Sequence, residues 1–242
     1  MTDGFVDVHC HILPGLDDGS GSMEMTMEMI DMAYAEGIRQ IVFTPHIRRP
    51  WLDRPAQKDE ETFAAVEEKV KERYPEMKLY LGCEFAYTDV MLEERIEKCR
   101  PMGNTDVALL EFKPGDSVNK IIDGVQKVQM EGFDILIAHI ERYDAMLEDI
   151  RDTDRLLDMG VMIQINADDI TDPESRKVKK YLKEMIRTHR VHVVGTDAHE
   201  TKRRKPEMQK AYKIAAKWGG EDYARDIFSR NAQRILAGEI LN

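Results

Sequence analysis

The 242-residue sequence has little cysteine and no long apolar segment. Its three cysteines, Cys10, Cys83 and Cys99, are an odd number without C-x-x-C spacing, so they predict no disulfide framework and suit a reducing compartment. The apolar runs have the length of strands, well short of the ~20 residues that cross a bilayer. Membrane insertion is therefore not expected.

The sequence also lacks an excess of basic residues and any targeting signal. Its net charge of -11 argues against a nucleic-acid partner. The N-terminus has neither a basic region nor an apolar signal segment, so a cytoplasmic location is expected. The absence of a glycine-rich phosphate loop and of a dinucleotide motif argues against nucleotide-driven chemistry. The sequence does not indicate an oligomeric state.

Seven strand-like apolar runs alternate with helical stretches along the chain. They span about residues 5–9, 38–44, 77–82, 106–111, 133–138, 161–166 and 191–196. Ser22 and either Asp116 or Ser117 are candidate helix N-caps, and a helix is predicted from Asp144 to Met159. No linker divides the chain, and residues 206–241 read as helices only. The pattern predicts one α/β domain over residues 1–242, a barrel of seven βα units with extra C-terminal helices.

Most of the chemically reactive residues stand at the ends of these runs. They are His9, His11, His46, Glu84, Glu111, His139, Asp197 and His199. The carboxyl ends of parallel strands meet at one face of an α/β barrel, where active sites lie, so these scattered residues should converge. Imidazoles and carboxylates gathered in one place are the ligand set of a multi-metal hydrolase.

Two short motifs on the first and last strands reinforce the metal interpretation. Residues two apart on an extended segment point the same way, so His9 and His11 can reach one ion, as can Asp197 and His199. Each pair alone has an ordinary alternative, either hydrogen-bonded histidines or an N-cap aspartate. Because the first and last strands are neighbours in a closed barrel, the two pairs together favour metal binding.

The order of these motifs resembles that of the PHP (polymerase and histidinol phosphatase) superfamily. The matching segments are His9-x-His11, Asp17-Asp18-Gly19, Thr44-Pro45-His46, Gly82-x-Glu84, Leu110-Glu111-Phe112, His139-Ile140-Glu141-Arg142-Tyr143 and Asp197-Ala198-His199. Within the superfamily they are similar to the manganese-dependent protein-tyrosine phosphatases of Gram-positive bacteria, the CpsB type. The resemblance runs from residue 5 to about residue 212.

The resemblance implies a distorted (β/α)7 barrel with three divalent metal ions. Matching positions assign one ion to His9, His11, Glu84 and Asp197, a second to Glu84, Glu111 and His139, and a third to Asp18, His46 and His199. Arg142 and Arg204 match the family's phosphate-binding arginines. The implied substrate is a tyrosine-phosphorylated protein, the tail of a bacterial tyrosine kinase that controls capsule or exopolysaccharide synthesis.

The chemistry of the ligand set agrees with this assignment. Five imidazoles and four carboxylates, without a thiolate, suit Mn²⁺, Fe or Zn²⁺ and disfavour Ca²⁺. Of the three, the resemblance favours Mn²⁺. Three divalent ions would bring six positive charges and the four carboxylates four negative ones. The site would then have a net charge of about +2, which suits a phosphate dianion.

Other functions compete with this interpretation. A cysteine-based tyrosine phosphatase requires C-x5-R, and none of Cys10, Cys83 and Cys99 has an arginine at that spacing. A small-molecule phosphatase of the histidinol-phosphatase type is the nearest enzymatic alternative. A non-catalytic regulatory subunit of polysaccharide assembly is the second alternative.

The loop Ile47–Gln57 follows the proposed ligand His46 and should border the metal face. It carries Trp51 among arginines, and an aromatic ring so placed could stack on a phosphotyrosyl ring. The alternative is a surface loop whose tryptophan packs on the next helix.

Overall fold

The computed structural model describes residues 4–239 and 241, and its centre is a set of parallel strands. They are β1 (Phe5–Cys10), β2 (Ile38–Phe43), β3 (His46–Ile47), β4 (Lys78–Leu81), β5 (Glu84–Ala86), β6 (Val107–Glu111), β7 (Asp134–Ile137), β8 (Met162–Asn166) and β9 (Val193–Gly195). Neighbouring strands pair in the orders β1-β2-β4 and β3-β5-β6-β7-β8-β9, and every pair is parallel.

The two sheets form one curled surface. The chain passes from β2 into β3 and from β4 into β5, so each sheet continues into the other. At the opposite edges, Cys10 of β1 forms a parallel bridge with Ala198, just after β9. The Asp197 N–H donates to the His9 carbonyl at 2.7 Å, and the His11 N–H donates to the Ala198 carbonyl at 2.8 Å. The fold is thus a mixed α/β fold with a curled parallel sheet.

Each of the seven predicted runs contains one strand, and a short strand that was not predicted follows the second run (β3) and the third run (β5). Pro45 has no backbone N–H to donate, and Gly82 weakens a strand, so the ladder breaks at these points. His46 and Glu84 therefore begin the short strands β3 and β5. They are direct partners in the parallel register, which sets two candidate ligands side by side.

Ten α-helices connect and cover the described strands. They are α1 (Met23–Ala35), α2 (Ala56–Arg73), α3 (Asp89–Arg95), α4 (Val118–Met130), α5 (Ile150–Leu157), α6 (Ala167–Thr171), α7 (Arg176–Arg187), α8 (Gln209–Gly219), α9 (Glu221–Arg225) and α10 (Asn231–Leu236). Ser22 and Ser117 cap α1 and α4 through their side chains, as predicted. The helix predicted from Asp144 begins only at Ile150, capped by Asp149. Residues 144–148 instead form turns.

Apart from β4, the strands are largely buried on both faces. Val6 and Val8 of β1 belong to an inner apolar cluster with Leu109, Leu136 and Met162, whereas alternate strand residues pack against the surrounding helices. An apolar interior leaves the strand ends as the place for polar groups. Among residues 4–239 and 241, each helix is too short or too polar to span a bilayer.

Candidate metal centre

The structure brings all nine predicted ligand residues together near the carboxyl ends of the strands. Their nitrogen and oxygen atoms form four overlapping groups, and the atoms within each group lie within 4.8 Å of one another. The groups are His11–Asp18–His46–His199, His9–His11–Glu84, His9–His139–Asp197 and His46–Glu84–Glu111. Seven of the nine residues are buried, Glu111 is half-buried and Asp18 is exposed. Each group could hold a cation, and the distribution of ligands among individual ions stays a prediction.

Glu84 stands at the centre of the cluster. Its Oε1 lies 3.0 Å from His139 Nε2 and 3.4 Å from His9 Nε2. Its Oε2 lies 2.7 Å from His46 Nδ1 and 3.3 Å from His11 Nε2. Each carboxylate oxygen therefore faces its own pair of imidazoles, which is the arrangement a bridging carboxylate requires.

Hydrogen bonds on the outer side of the cluster orient His9 and His11. His9 Nδ1 lies 3.1 Å from Gln164 Oε1, and His11 Nδ1 lies 2.7 Å from Asp17 Oδ2. Both partners are acceptors, so they assign the ring protons to Nδ1. When both rings are neutral, as metal ligands are, the two Nε2 atoms present their lone pairs towards each other across 3.2 Å, a convergence that a metal ion satisfies.

Asp197 has two oxygens in two different environments. Its Oδ1 faces His9 Nε2 at 3.6 Å and His11 Nε2 at 3.5 Å. Its Oδ2 accepts a hydrogen bond from Arg142 Nη1 at 2.8 Å and forms an ion pair with Arg204 Nη2 at 2.5 Å. One carboxylate thus fixes both predicted phosphate-binding arginines directly beside the metal-ligand cluster.

A cavity of about 800 Å³ opens next to the two arginines. Arg142 and Arg204 line it together with Asp168 and Asp169. Asp169 Oδ2 accepts from Arg142 Nε at 3.2 Å, so Arg142 is held from two sides. Both guanidinium groups are about one-third exposed, at 32% and 35%, and remain accessible to a ligand.

The titration of the buried carboxylates reflects the positive groups around them. Burial alone would raise the pKa of Glu84, but His9 and His46 hold that pKa well below its usual range. Burial would also raise the pKa of Asp197, but the positive charges of His9, Arg204 and Arg142 hold that pKa well below its usual range. The same contacts raise the pKa of His9 to about 9 and that of His46 to about 10, against the effect of burial. The cluster is a place where ionised carboxylates require positive charge.

The backbone is strained at two of these residues. His139 and Asp197 have positive φ angles of 31° and 51°, in the left-handed region that non-glycine residues rarely adopt. Gly19 has a different constraint, because a Cβ there would lie 1.9 Å from the His11 carbonyl oxygen. The Asp17-Asp18-Gly19 turn can therefore approach His11 only with glycine at its third position.

The residues of the cluster fit divalent metal ions. Several buried atoms have no hydrogen-bond partner among the described residues, including His46 Nδ1, Glu84 Oε2 and His199 Nε2. The first two lie 2.7 Å apart without the alignment of a hydrogen bond. Unpaired buried donors and acceptors are costly, and a cation gives them a partner. Nitrogen and oxygen ligands without a thiolate suit Mn²⁺, Fe or Zn²⁺.

Sequence reasoning missed the residues that support the ligands. Gln164 accepts from the His139 N–H at 2.7 Å in addition to its contact with His9. The signal for it was present, because a glutamine in the apolar run Met162–Asn166 must find buried partners. Asp17 was named only within the Asp17-Asp18-Gly19 motif, without a role of its own. Its Oδ2 also accepts from the His46 N–H at 3.0 Å, which no sequence pattern indicated.

Fold and site together define a class of protein. It is an α/β protein with a curled parallel sheet and a cluster of side chains that could hold metal ions at the carboxyl ends of the strands. A solved structure described as belonging to YwqE from Bacillus subtilis and CpsB from Streptococcus pneumoniae, "unique metal-dependent tyrosine phosphatases", matches with a TM-score of 0.87. The match covers 98% of this chain and 96% of that one at 24% identity.

The chain belongs to the CpsB/CapC family. The family model "Capsular polysaccharide synthesis, CpsB/CapC" matches residues 5–237. The tyrosine-protein phosphatase CpsB of Streptococcus pneumoniae is 34% identical over 98% of this chain and all of its own length. A histidinol phosphate phosphatase of Lactococcus lactis shares the fold more distantly, with a TM-score of 0.56 and 15% identity over 89% of this chain and 94% of its own. The family resemblance predicted from the sequence motifs is confirmed.

Proposed function

We propose that this protein is a metal-dependent phosphatase that hydrolyses phosphotyrosine in proteins. The observation that carries the proposal is the position of Glu84 between two pairs of imidazoles, with Arg142 and Arg204 fixed beside them by Asp197. Membership of the CpsB/CapC family and relatives named tyrosine-protein phosphatases support it.

We extend the proposal to the finer architecture. The strands occupy the seven strand positions of a distorted (β/α)7 barrel. One position is shared by β2 and β3, and another is shared by β4 and β5. The meeting of β1 with the segment after β9 supports this closure. Residues 1–242 form one phosphoesterase domain, and the cytoplasmic location expected from the sequence stays a prediction.

The metal-binding residues proposed are the nine of the cluster, with three divalent ions per chain. They are His9, His11, Asp18, His46, Glu84, Glu111, His139, Asp197 and His199. Mn²⁺ is the preferred identity, with Fe or Zn²⁺ as alternatives. When bound, such ions supply Lewis-acid stabilisation of phosphoryl oxygens and lower the pKa of water to give a nucleophile.

The arginines of this chain bind and orient the phosphoryl group. Arg142 and Arg204 each have a planar fork of N–H donors suited to phosphate oxygens. Asp197 and Asp169 hold the Arg142 guanidinium in place, so it does not need to reorganise as charge develops in the transition state. A tyrosyl leaving group has a conjugate acid with a pKa of about 10, which makes it far easier to expel than an alkoxide.

The substrate that we propose is the tyrosine-phosphorylated tail of a bacterial tyrosine kinase that controls capsule or exopolysaccharide synthesis. Relatives named CpsB and a family model described by capsular polysaccharide synthesis support this assignment. Hydrolysis of histidinol phosphate is the second candidate, because an enzyme of that activity shares the fold.

The test is turnover by protein of known metal content. We expect Mn²⁺-loaded protein to hydrolyse a phosphotyrosine peptide, chelation to abolish this activity, and Ca²⁺ alone not to restore it. Faster turnover of histidinol phosphate would favour the second candidate. Metal-loaded protein that hydrolyses neither substrate would support a non-catalytic subunit and contradict the proposal.

A further inference from the structure

Trp51 contacts the metal-ligand cluster directly. Its ring is nearly parallel to the imidazole of His46, with an interplanar angle of 12° and 5.7 Å between centroids. This is within the range of offset aromatic stacking. Trp51 is half-buried, so part of the indole remains open to a ligand. The alternative in which this tryptophan only packs on the next helix does not account for the contact with His46.

The segment that carries Trp51 is held firmly in this position. Arg54 Nη2 donates to the His46 carbonyl at 3.2 Å, and its Nη1 donates to the Leu16 carbonyl at 2.5 Å. The Arg54 Nε pairs with Asp59 Oδ1 at 2.5 Å. Arg54 is therefore a structural residue that ties the loop to the rim of the site. Its charge is neutralised by Asp59 and is not offered to a substrate.

Arg48 reaches across the open side of the cluster. Its Nη2 lies 3.4 Å from Asp18 Oδ2, and its Nη1 lies 3.5 Å from Glu111 Oε2. Asp18 and Glu111 belong to different potential ligand groups, so the guanidinium spans two of the proposed cation positions. The Arg48 Cζ also lies 5.6 Å from the centroid of the Trp51 ring, within the range of a cation–π contact.

We propose that Arg48 and Trp51 together form an aryl-recognition wall that selects aromatic phosphate esters. Trp51 stacks on the tyrosyl ring of the substrate. Arg48 leaves Asp18 and Glu111 when cations engage these carboxylates, and its guanidinium then turns to the substrate beside the indole. This inference rests on the proposed function and deepens it, because it assigns the preference for phosphotyrosine to two residues of one loop.

The charge and shape of the wall match an aryl phosphate ester. A guanidinium at 34% exposure is accessible enough to contact a bound ester, and guanidinium groups both pair with phosphate and stack on aromatic faces. An indole adds flat apolar area that a phosphoserine side chain cannot cover. The protein should therefore distinguish phosphotyrosine from phosphoserine by the side chain that carries the phosphate and not by the phosphoryl group itself.

Binding can be tested without turnover, because the chain has only two tryptophans. Trp218 packs against the core from α8, so Trp218→Phe leaves Trp51 as the only tryptophan, whose emission is separated from that of the eight tyrosines by selective excitation. Mn²⁺, a paramagnetic quencher, should decrease the Trp51 emission of this variant. Benzylphosphonate added to the loaded variant should then change the emission further, whereas methylphosphonate should not. An equal response to both phosphonates would overturn the stacking.

The transfer of Arg48 from carboxylates to substrate predicts a change in metal affinity. Arg48→Ala removes a cation that competes for Asp18 and Glu111, so it should bind Mn²⁺ several-fold more tightly, measured by competition with a chelating dye. Arg49→Ala is the matched control, since Arg49 is an exposed neighbour in the same loop. Equal Mn²⁺ affinity in the Arg48→Ala and Arg49→Ala variants would contradict the transfer.

Kinetics then separate this inference from the proposed function. Trp51→Ala should lower kcat/KM for a phosphotyrosine peptide by roughly threefold to tenfold, the range of an aromatic stacking contact, with little effect on a phosphoserine peptide. Trp51→Phe should retain most of the preference and answers the question if the alanine variant does not fold. An unchanged preference in both variants of an active enzyme overturns the wall and leaves the proposed function intact. Inactivity of the loaded wild type towards phosphotyrosine overturns the proposed function, while the phosphonate titration still tests the wall.

Discussion

Replacing Glu84 with glutamine tests the centre of the site with the smallest change in shape. The substitution keeps the size of the side chain and removes the charge that faces His9, His11, His46 and His139. An amide oxygen can still accept a hydrogen bond, but the amide nitrogen cannot ligate a cation. Glu84 occurs in two of the four potential ligand groups. We therefore expect Glu84→Gln to lose two of three ions.

The thermal stability gained from metal binding measures this loss. An ion held at 100 times its Kd stabilises the folded state by about 2.7 kcal/mol. A domain of this size changes its Tm by about 2–4 °C per kcal/mol. Three ions should then raise the Tm of the wild type by about 16–32 °C, whereas the one ion left in Glu84→Gln should raise it by about 5–11 °C.

Paired thermal melts of chelated and Mn²⁺-loaded protein, together with elemental analysis, provide the assay. Glu141→Gln is the matched control. Glu141 is a second buried glutamate close to the site, and burial raises its pKa well above the usual range, so an amide imitates its protonated form. The Glu141→Gln variant should keep three ions and show the same metal-dependent increase in Tm as the wild type. The bridging role of Glu84 is refuted if Glu84→Gln also keeps both.

Three further variants test neighbouring parts of the structure. Arg142→Lys keeps the charge but loses the fork, so phosphotyrosine turnover should fall about 10²–10³-fold at unchanged metal content; a loss below tenfold would make Arg142 structural. Gln164→Leu removes the acceptor that orients His9, and Mn²⁺ affinity should weaken about 10–100-fold in a dye competition assay; equal affinity would contradict the orienting role. Burial lowers the pKa of His192 from 6.5 to about 4, so the unfolded chain binds the proton first and stability is lost as the pH falls between these values. In urea unfolding, this residue should lower the free energy of unfolding by up to about 1.4 kcal/mol for each pH unit of acidification. His192→Gln should remove this pH dependence, because glutamine can still accept from the Ile163 N–H but does not titrate.

The sequence was sufficient for an α/β fold with a parallel sheet and for the residues that cluster at the strand ends, because both follow from short, periodic patterns. Strands buried on both faces read as continuous apolar runs, as in Val107–Leu110 and Ile135–Ile137. In a parallel α/β sheet, the polar residue that follows each apolar run lies at the carboxyl end of its strand, and these ends share one face of the fold. His139 and Glu111 were predicted on this basis, and the structure places them in the cluster.

The supporting contacts could not be predicted because they join residues distant in sequence through side-chain geometry. Gln164 and His9 are 155 positions apart, and Arg142 and Asp197 are 55 apart. Positive φ angles at His139 and Asp197 have no signature in residue type, since neither is a glycine. The early start predicted for α5 was wrong: residues 144–148 form turns, and the Asp144 N–H donates to the distant Pro114 carbonyl at 3.0 Å.

The two oxygens of Asp197 lead us to expect that the proposed metal binding and phosphate binding can be separated by mutation, although both involve this one carboxylate. Its Oδ1 faces imidazoles only, so the loss of one arginine does not remove a metal-directed atom. Its Oδ2 has three partners: Arg142 and Asn166 donate hydrogen bonds, the latter at 3.1 Å, and Arg204 forms an ion pair. When Arg142 is shortened to lysine, the other two still satisfy this oxygen and keep the carboxylate plane in place. A lysine variant should therefore lose orientation of the phosphoryl group without losing metal, whereas any change at Asp197 itself should lose both.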